Sequence, residues 1–160
     1  MLTLAEMRGV VQMLATLQQI AEQLNSQQLI WAVGGSLMLN HYQLAEKPND
    51  IDLLVDLNHI AKVDEILCSM GKKKTRVEVG QYSTKYFYEY VINGFDVDVM
   101  SGLAINHDDG VFRFIFDQDS IAGFKDVGGT KIPLSSLEDW YAIYQLIPGN
   151  AGMVGNALAG

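Results

Sequence analysis

Apolar residues recur along this chain with two different periods, and the switches between them mark its elements. Val10, Met13, Leu14, Leu17, Ile20 and Ala21 fall on one face at helical spacing. Thr3 with Glu6 forms a capping-box pattern ahead of them, so a first helix is predicted to run to about Asn25-Ser26. Leu29 to Val33 reads as a short buried strand, which Gly34-Gly35 interrupts. Ser36 to Leu44 predicts a second helix, and Pro48-Asn49 ends that connection. Ile51 to Val55 predicts a strand. His59 to Met70 predicts a helix with Ile60, Val63, Ile66 and Leu67 inward. Thr75–Val79, Lys85–Ile92 and Phe95–Met100 are three further strand candidates. Asn93-Gly94 is the commonest two-residue hairpin turn, because both positions tolerate positive φ. Val111–Phe116 adds one more strand, and Asp126 to Pro133 reads as a Gly-Gly hairpin or loop. Ser135 with Glu138 would cap a last helix through Ile147, stopped by Pro148-Gly149.

Strand and helix alternate early, and the middle is antiparallel. That mixture predicts an α+β domain: a mixed β-sheet with helices packed mainly on one face. A single domain spans 1–148, and the glycine-rich tail at 149–160 is expected to be loosely held. The 160 residues suffice for one real core, as the hydrophobic fraction of 49% agrees. A net charge of −8 argues against a broad nucleic-acid surface, which needs many Lys and Arg. The one basic cluster, Lys72-Lys73-Lys74 with Arg76, reads as a solvated turn. Cys68, among Ile66, Leu67 and Met70, reads as a core position. No apolar run is long enough to cross a bilayer, and "MLTLAEMRGV" lacks the order of a secretory signal. A cytoplasmic location is the expectation.

Two strand candidates carry paired acids. In "DIDLLVD", Ile51, Leu53 and Val55 share a face, and Asp50 and Asp52 share the other; in "FDVDVM", Asp96 and Asp98 do the same. A lone acid-x-acid is often only the polar side of a half-exposed strand. If the two strands are neighbours, three or four carboxylates converge. Bare carboxylates about 4 Å apart repel by roughly 4 kcal/mol at an effective dielectric near 20, so such a cluster would protonate, splay or recruit a cation. His41, His59 and His107 have no ligand spacing relative to one another, so an all-oxygen site suits Mg²⁺ or Mn²⁺ better than Zn²⁺. Upstream, Gly34-Gly35-Ser36 follows a strand and opens a helix, where free N–H groups and a hydroxyl can cradle phosphate. A phosphate cradle beside acidic strands can hold a nucleoside triphosphate together with two metal ions.

Val33-Gly34-Gly35-Ser36, Asp50-Ile51-Asp52 and Val97-Asp98-Val99, in that order, resemble the signature of the nucleotidyltransferase superfamily that includes DNA polymerase β-like enzymes. The likeness spans Leu29 to about Met100 and is nearest to small single-domain bacterial members of the antibiotic-modifying and toxin–antitoxin-associated kinds. The resemblance implies a nucleotidyltransferase-like fold and Mg²⁺-dependent transfer of a nucleoside monophosphate from a triphosphate to an acceptor hydroxyl. It implies that Asp50, Asp52 and a third acid bind two Mg²⁺ (or Mn²⁺) ions with the triphosphate, and that Gly34, Gly35 and Ser36 hold phosphate. Asp98 is the first choice for the third acid, since Val97 and Val99 flank it; Asp96 is the second. The acceptor is a small molecule, a protein or an RNA end. Relatives often carry a cation near the end of the last helix, but Gln145 to Asn150 offers none; Lys85, Arg113 or Lys125 could substitute. The alternative is a nucleotide-binding module without turnover, or an interaction partner, as a homo-oligomer or in a two-gene pair. Trp140, Tyr141 and Tyr144 would then form an interface stripe, though such a stripe is more often core.

Overall fold

The chain's two acidic strands lie side by side at the centre of one sheet. In this computed structural model, which describes residues 1–43, 48, 50–75 and 84–146, the elements follow the predicted order with three additions. The first helix, α1, spans Leu4–Ser26, and Thr3 closes the expected capping box with Glu6. Then come β1 (Trp31–Gly34), α2 (Gly35–His41), β2 (Ile51–Val55) and α3 (Ile60–Met70). A short β3 (Lys72–Lys73) leads to β4 (Tyr86–Ile92) and β5 (Phe95–Ser101), joined through Asn93 and Gly94, both at positive φ. Next are β6 (Ala104–His107), β7 (Gly110–Arg113), β8 (Ile121–Val127), β9 (Thr130–Ser135) and α4 (Leu137–Leu146).

Seven strands form one mixed sheet in the order β3-β4-β5-β2-β1-β9-β8, with β6 and β7 as a separate two-stranded ribbon. The pairs β2–β5 and β1–β9 are parallel; the rest are antiparallel. The two longest helices, α1 and α3, cover one face. Met13, Leu17, Ile20, Val63 and Leu67 pack there on Trp31, Ile51, Leu53, Val55, Val97 and Val99. The other face carries Ala32, Leu54 and Met100 beneath α4, with Leu103 and Ile105 beside Trp140 and Ile143. Helix α2 contributes Leu37 to the first core and Met38 and Leu39 to the second. The expected α+β class with a mixed sheet is the fold observed.

Several local readings change. The strand expected at Val111–Phe116 is shorter, Gly110–Arg113, and pairs with Ala104–His107, which lacks a long apolar run. Strand β8 escapes the pattern because Gly123 sits within it at a register irregularity and only alternate residues are covered. Lys72-Lys73 is an edge strand paired with Val91 and Tyr90, not a turn. Cys68 is exposed rather than in the core, because Ile66 and Leu67 already fill the inner face of α3. Ser136, not Ser135, caps α4 by accepting from Asp139 N. Residues 76–79 of the candidate Thr75–Val79 strand, the end of the second helix at Leu44 and the tail lie outside the described residues. Among the described residues no helix is long and apolar enough to cross a membrane.

Ser135 is instead a buried junction. Its hydroxyl accepts from the Trp140 indole Nε1 at 2.6 Å and donates to Val33 O at 2.9 Å, tying α4 to β1. The indole then lies against Gly34: a Cβ there would meet Trp140 ring atoms at 2.1 Å. Trp140 is therefore core, whereas Tyr141 is exposed. Gly34→Ala is expected to destabilise the protein by roughly 1–3 kcal/mol, by overpacking. In urea titrations the same substitution should cost little when Trp140 is already Leu. An equal cost in both backgrounds would place the strain elsewhere.

Candidate active site

The register of four neighbouring strands draws the site. Gly34 of β1 pairs with Asp52 of β2, Asp52 with Asp98 of β5, and Asp98 with Glu89 of β4. Residues in register across a sheet present their side chains to the same face, so Asp52, Asp98 and Glu89 form one acidic row. Asp50 stands just before β2, and Asp96 lies two residues before Asp98 on the same side. All four acids named from the sequence thus flank one another, on the face that α4 covers. Asp50, Asp52, Asp98 and Glu89 are half-buried and Asp96 is exposed.

The row is unfavourable for charge. Burial first, then the charges of Asp98 and Asp50, pushes the Asp52 carboxyl up to about 8. Asp98 is pushed up to about 6 by burial, then by Glu89, Asp50 and Asp96, with Lys74 opposing. Asp50 is raised by burial and then by Asp96, again against Lys74. Lys74 Nζ lies 2.7 Å from Asp96 Oδ1. That hydrogen bond raises the lysine's proton affinity; burial opposes it, and the charges of Asp96, Glu89 and Asp98 add to the rise.

The glycine turn closes on the same spot. Gly35 has φ +60, and a Cβ on it would fall 2.1 Å from Asp52 Oδ2. Glycine is needed there twice over: for the left-handed backbone and for the approach of the α2 start to the carboxylate. Ser36 is half-buried in the first turn of α2. Gly34 has a packing reason of its own in Trp140.

Neighbouring strands and alternate residues set carboxylates about 5 and 7 Å apart at their backbones. Among the described residues, no three acid, histidine or cysteine side chains stand close enough to hold a metal ion by themselves. The acids share a face and a register, but the close convergence of three or four is not present. The donor chemistry still fits a hard divalent cation: every group is a carboxylate oxygen, and Asp50, Asp52 and Asp98 are held above their ordinary proton affinity by burial first and then by neighbouring acids.

Two residues of the row were missed in the sequence. Glu89 could have been found by counting back from the Asn93-Gly94 turn, since Ile92 pairs with Phe95 and the ladder then sets Glu89 opposite Asp98. Lys74 carries no local signal, because its place depends on how the edge strand pairs. The cations suggested as substitutes stand elsewhere. Lys85 and Arg113 line a cavity of about 370 Å³ with Asp56 and Gly102, beyond the far ends of β2 and β5. Lys125 lies near enough to His41 to join burial in lowering its proton affinity.

Asp52 holds its proton far more tightly in the fold, to about 8, than the ordinary 3.8 of an open chain. The folded state then binds more protons across that window, so stability falls as the pH rises from the carboxylate range to about 8. Asp52→Asn removes the loss. Without metal, the variant should melt a few degrees above wild type near pH 8 and show a shallower decline from about pH 5. Parallel melting curves for the two proteins over that range would refute the shifted carboxyl.

Residues 16–157 match the family model described as aminoglycoside-2''-adenylyltransferase. Among solved structures, a Thermotoga maritima protein assigned to the nucleotidyltransferases is 26% identical, with TM-score 0.70 over 91% of this chain and 88% of that one. The lincosamide antibiotic adenylyltransferase LnuA, solved with lincomycin bound, shares the fold at 18% identity and TM-score 0.59, over 91% of this chain and 96% of that one. ANT(2'')-Ia in complex with adenylyl-2''-tobramycin shares it at 15% and 0.59, over 91% and 88%. No curated protein matches the sequence.

Proposed function

The chain belongs to the aminoglycoside-2''-adenylyltransferase family, and on that premise we propose that it transfers an adenylyl group from ATP to a hydroxyl of a cationic amino-sugar acceptor. The observation that carries this reading is the parallel pairing of Asp52 with Asp98 beside the Gly34-Gly35-Ser36 turn. The family description supplies the donor and the acceptor class. The net charge of −8 supports a polycationic acceptor, since a negative surface concentrates cations near it.

Asp50, Asp52 and Asp98 would hold Mg²⁺ or Mn²⁺, two ions with a bound triphosphate, and the metal when bound supplies charge neutralisation at the phosphate oxygens. The remaining work falls to the chain. Gly34, Gly35 and Ser36 would offer backbone N–H groups and a hydroxyl to the β- and γ-phosphates. Asp98, in register with Asp52, would take the acceptor's hydroxyl proton. The acceptor oxygen bonds to the α-phosphorus as the bond from that phosphorus to the pyrophosphate oxygen breaks. Pyrophosphate leaves with the electron pair.

Incubating the protein with α-labelled ATP, Mg²⁺ and a panel of aminoglycosides tests the reading. Labelled acceptor and free pyrophosphate are expected, and Asp98→Asn should slow transfer by about 10²–10⁴-fold. If none of the four nucleoside triphosphates raises the melting temperature with Mg²⁺ or Mn²⁺, and no label moves, the proposal fails. A second reading, a nucleotide-binding module without turnover, is favoured by the lack of a converging acid triad among the described residues. A saturable, metal-dependent melting shift without label transfer to any acceptor would select it.

A further inference from the structure

The row leaves one choice open in its chemistry: Asp96 and Asp98 lie on the same face of the same strand, and either could stand as the third acid. The edge strand bears on that choice. Strand β3 pairs Lys72 with Val91 and Lys73 with Tyr90, and the Lys74 N–H extends the ladder by donating to Glu89 O at 2.7 Å. Successive residues of an extended strand face opposite ways, and the two lysines separate accordingly. Lys73 Nζ reaches Asp64 at 2.9 Å and lies 3.6 Å from the centre of the Tyr88 ring. Asp64 also takes a hydrogen bond from Tyr90 OH, so Lys73 is tied to the α3 side. Lys74 turns to the acidic side and meets Asp96 Oδ1 at 2.7 Å.

We propose that Lys74 is a positioning residue: by engaging Asp96 it keeps that carboxylate out of the metal site and leaves Asp98, in register with Asp52, as the third acid. The inference rests on the nucleotidyltransferase reading of the row. The geometry gives Asp96 a partner of its own and an exposed place, while Asp98 has Asp52 on one side and Glu89 on the other. The pair is partly solvated, with side chains 39% and 51% exposed, so it acts as a bias rather than a lock. The backbone bond to Glu89 adds to that bias, since the lysine's attachment point is already fixed beside β4.

Binding of Mn²⁺ alone, followed by electron paramagnetic resonance, tests this without nucleotide or turnover. Lys74→Met frees Asp96, and the Mn²⁺ dissociation constant is expected to fall by about fivefold, the size such a pair supports. Lys74→Arg should match wild type. Lys74→Met/Asp96→Asn should restore the wild-type constant. Lys72→Met, which removes an equal charge from the same edge, should leave it unchanged and so exclude a general field effect. With ATP and acceptor, kcat should drop in Lys74→Met and recover in the double variant, while Asp96→Asn alone stays close to wild type. Unchanged Mn²⁺ affinity in Lys74→Met, or a loss on Asp96→Asn as large as on Asp98→Asn, overturns the assignment. If wild type binds Mn²⁺ but neither binds nor turns over any nucleotide, the proposed reaction falls while the Mn²⁺ comparison still decides the role of Lys74.

Discussion

Two carboxylates held in parallel register, in a partly buried row, are the constraint around which this molecule is arranged. Asp52 and Asp98 face one another because β2 and β5 pair as Ile51 with Val97 and Leu53 with Val99, and those apolar partners are fully buried on the opposite face. A one-residue slip would turn the acids into the core and the valines out, so the hydrophobic face fixes the polar one. The cohesion of the core thereby supports an arrangement that electrostatics alone would disperse. The raised proton affinities of Asp50, Asp52 and Asp98 record that opposition.

The supports around the row are built from the same economy of space. Gly35 brings the start of α2 against Asp52, and Gly34 gives the Trp140 indole room to cover the end of β1. Ser135 joins that indole to β1 through one hydroxyl. At both glycines the approach is tight enough that a single methyl group would not fit. The close packing is concentrated on the glycine-turn side of the row. On the other side, at β4 and the β3 edge, Glu89 and Lys74 form a more solvated border.

Much of this was legible in the residue pattern. The capping box of Thr3 and Glu6, the strand Ile51–Val55, the apolar stripe of α3 and the Asn93-Gly94 hairpin are local, and local preferences agree there with the fold. The alternation within "DIDLLVD" and "FDVDVM" put the acids on one side of each strand, because side-chain period is a property of a single strand. The hairpin turn even fixed the partner of Asp98, had the count been made.

What the chain could not disclose by pattern alone was which strands are neighbours and which of two like residues faces which partner. Parallel pairing of β2 with β5 brings together segments separated by a helix and two strands, and only the assembled sheet decides it. Lysines 72 to 74 read alike in sequence, yet the β3 pairing sends Lys73 to Asp64 and Lys74 to Asp96. Cys68 looked apolar by its neighbours and proved exposed, since the helix had already spent its inner face. Composition and period determined the elements and the sidedness of the acids, because those follow from local backbone geometry. The tertiary structure decided their mutual facing, their burial and the cation beside them, because those follow from long-range packing.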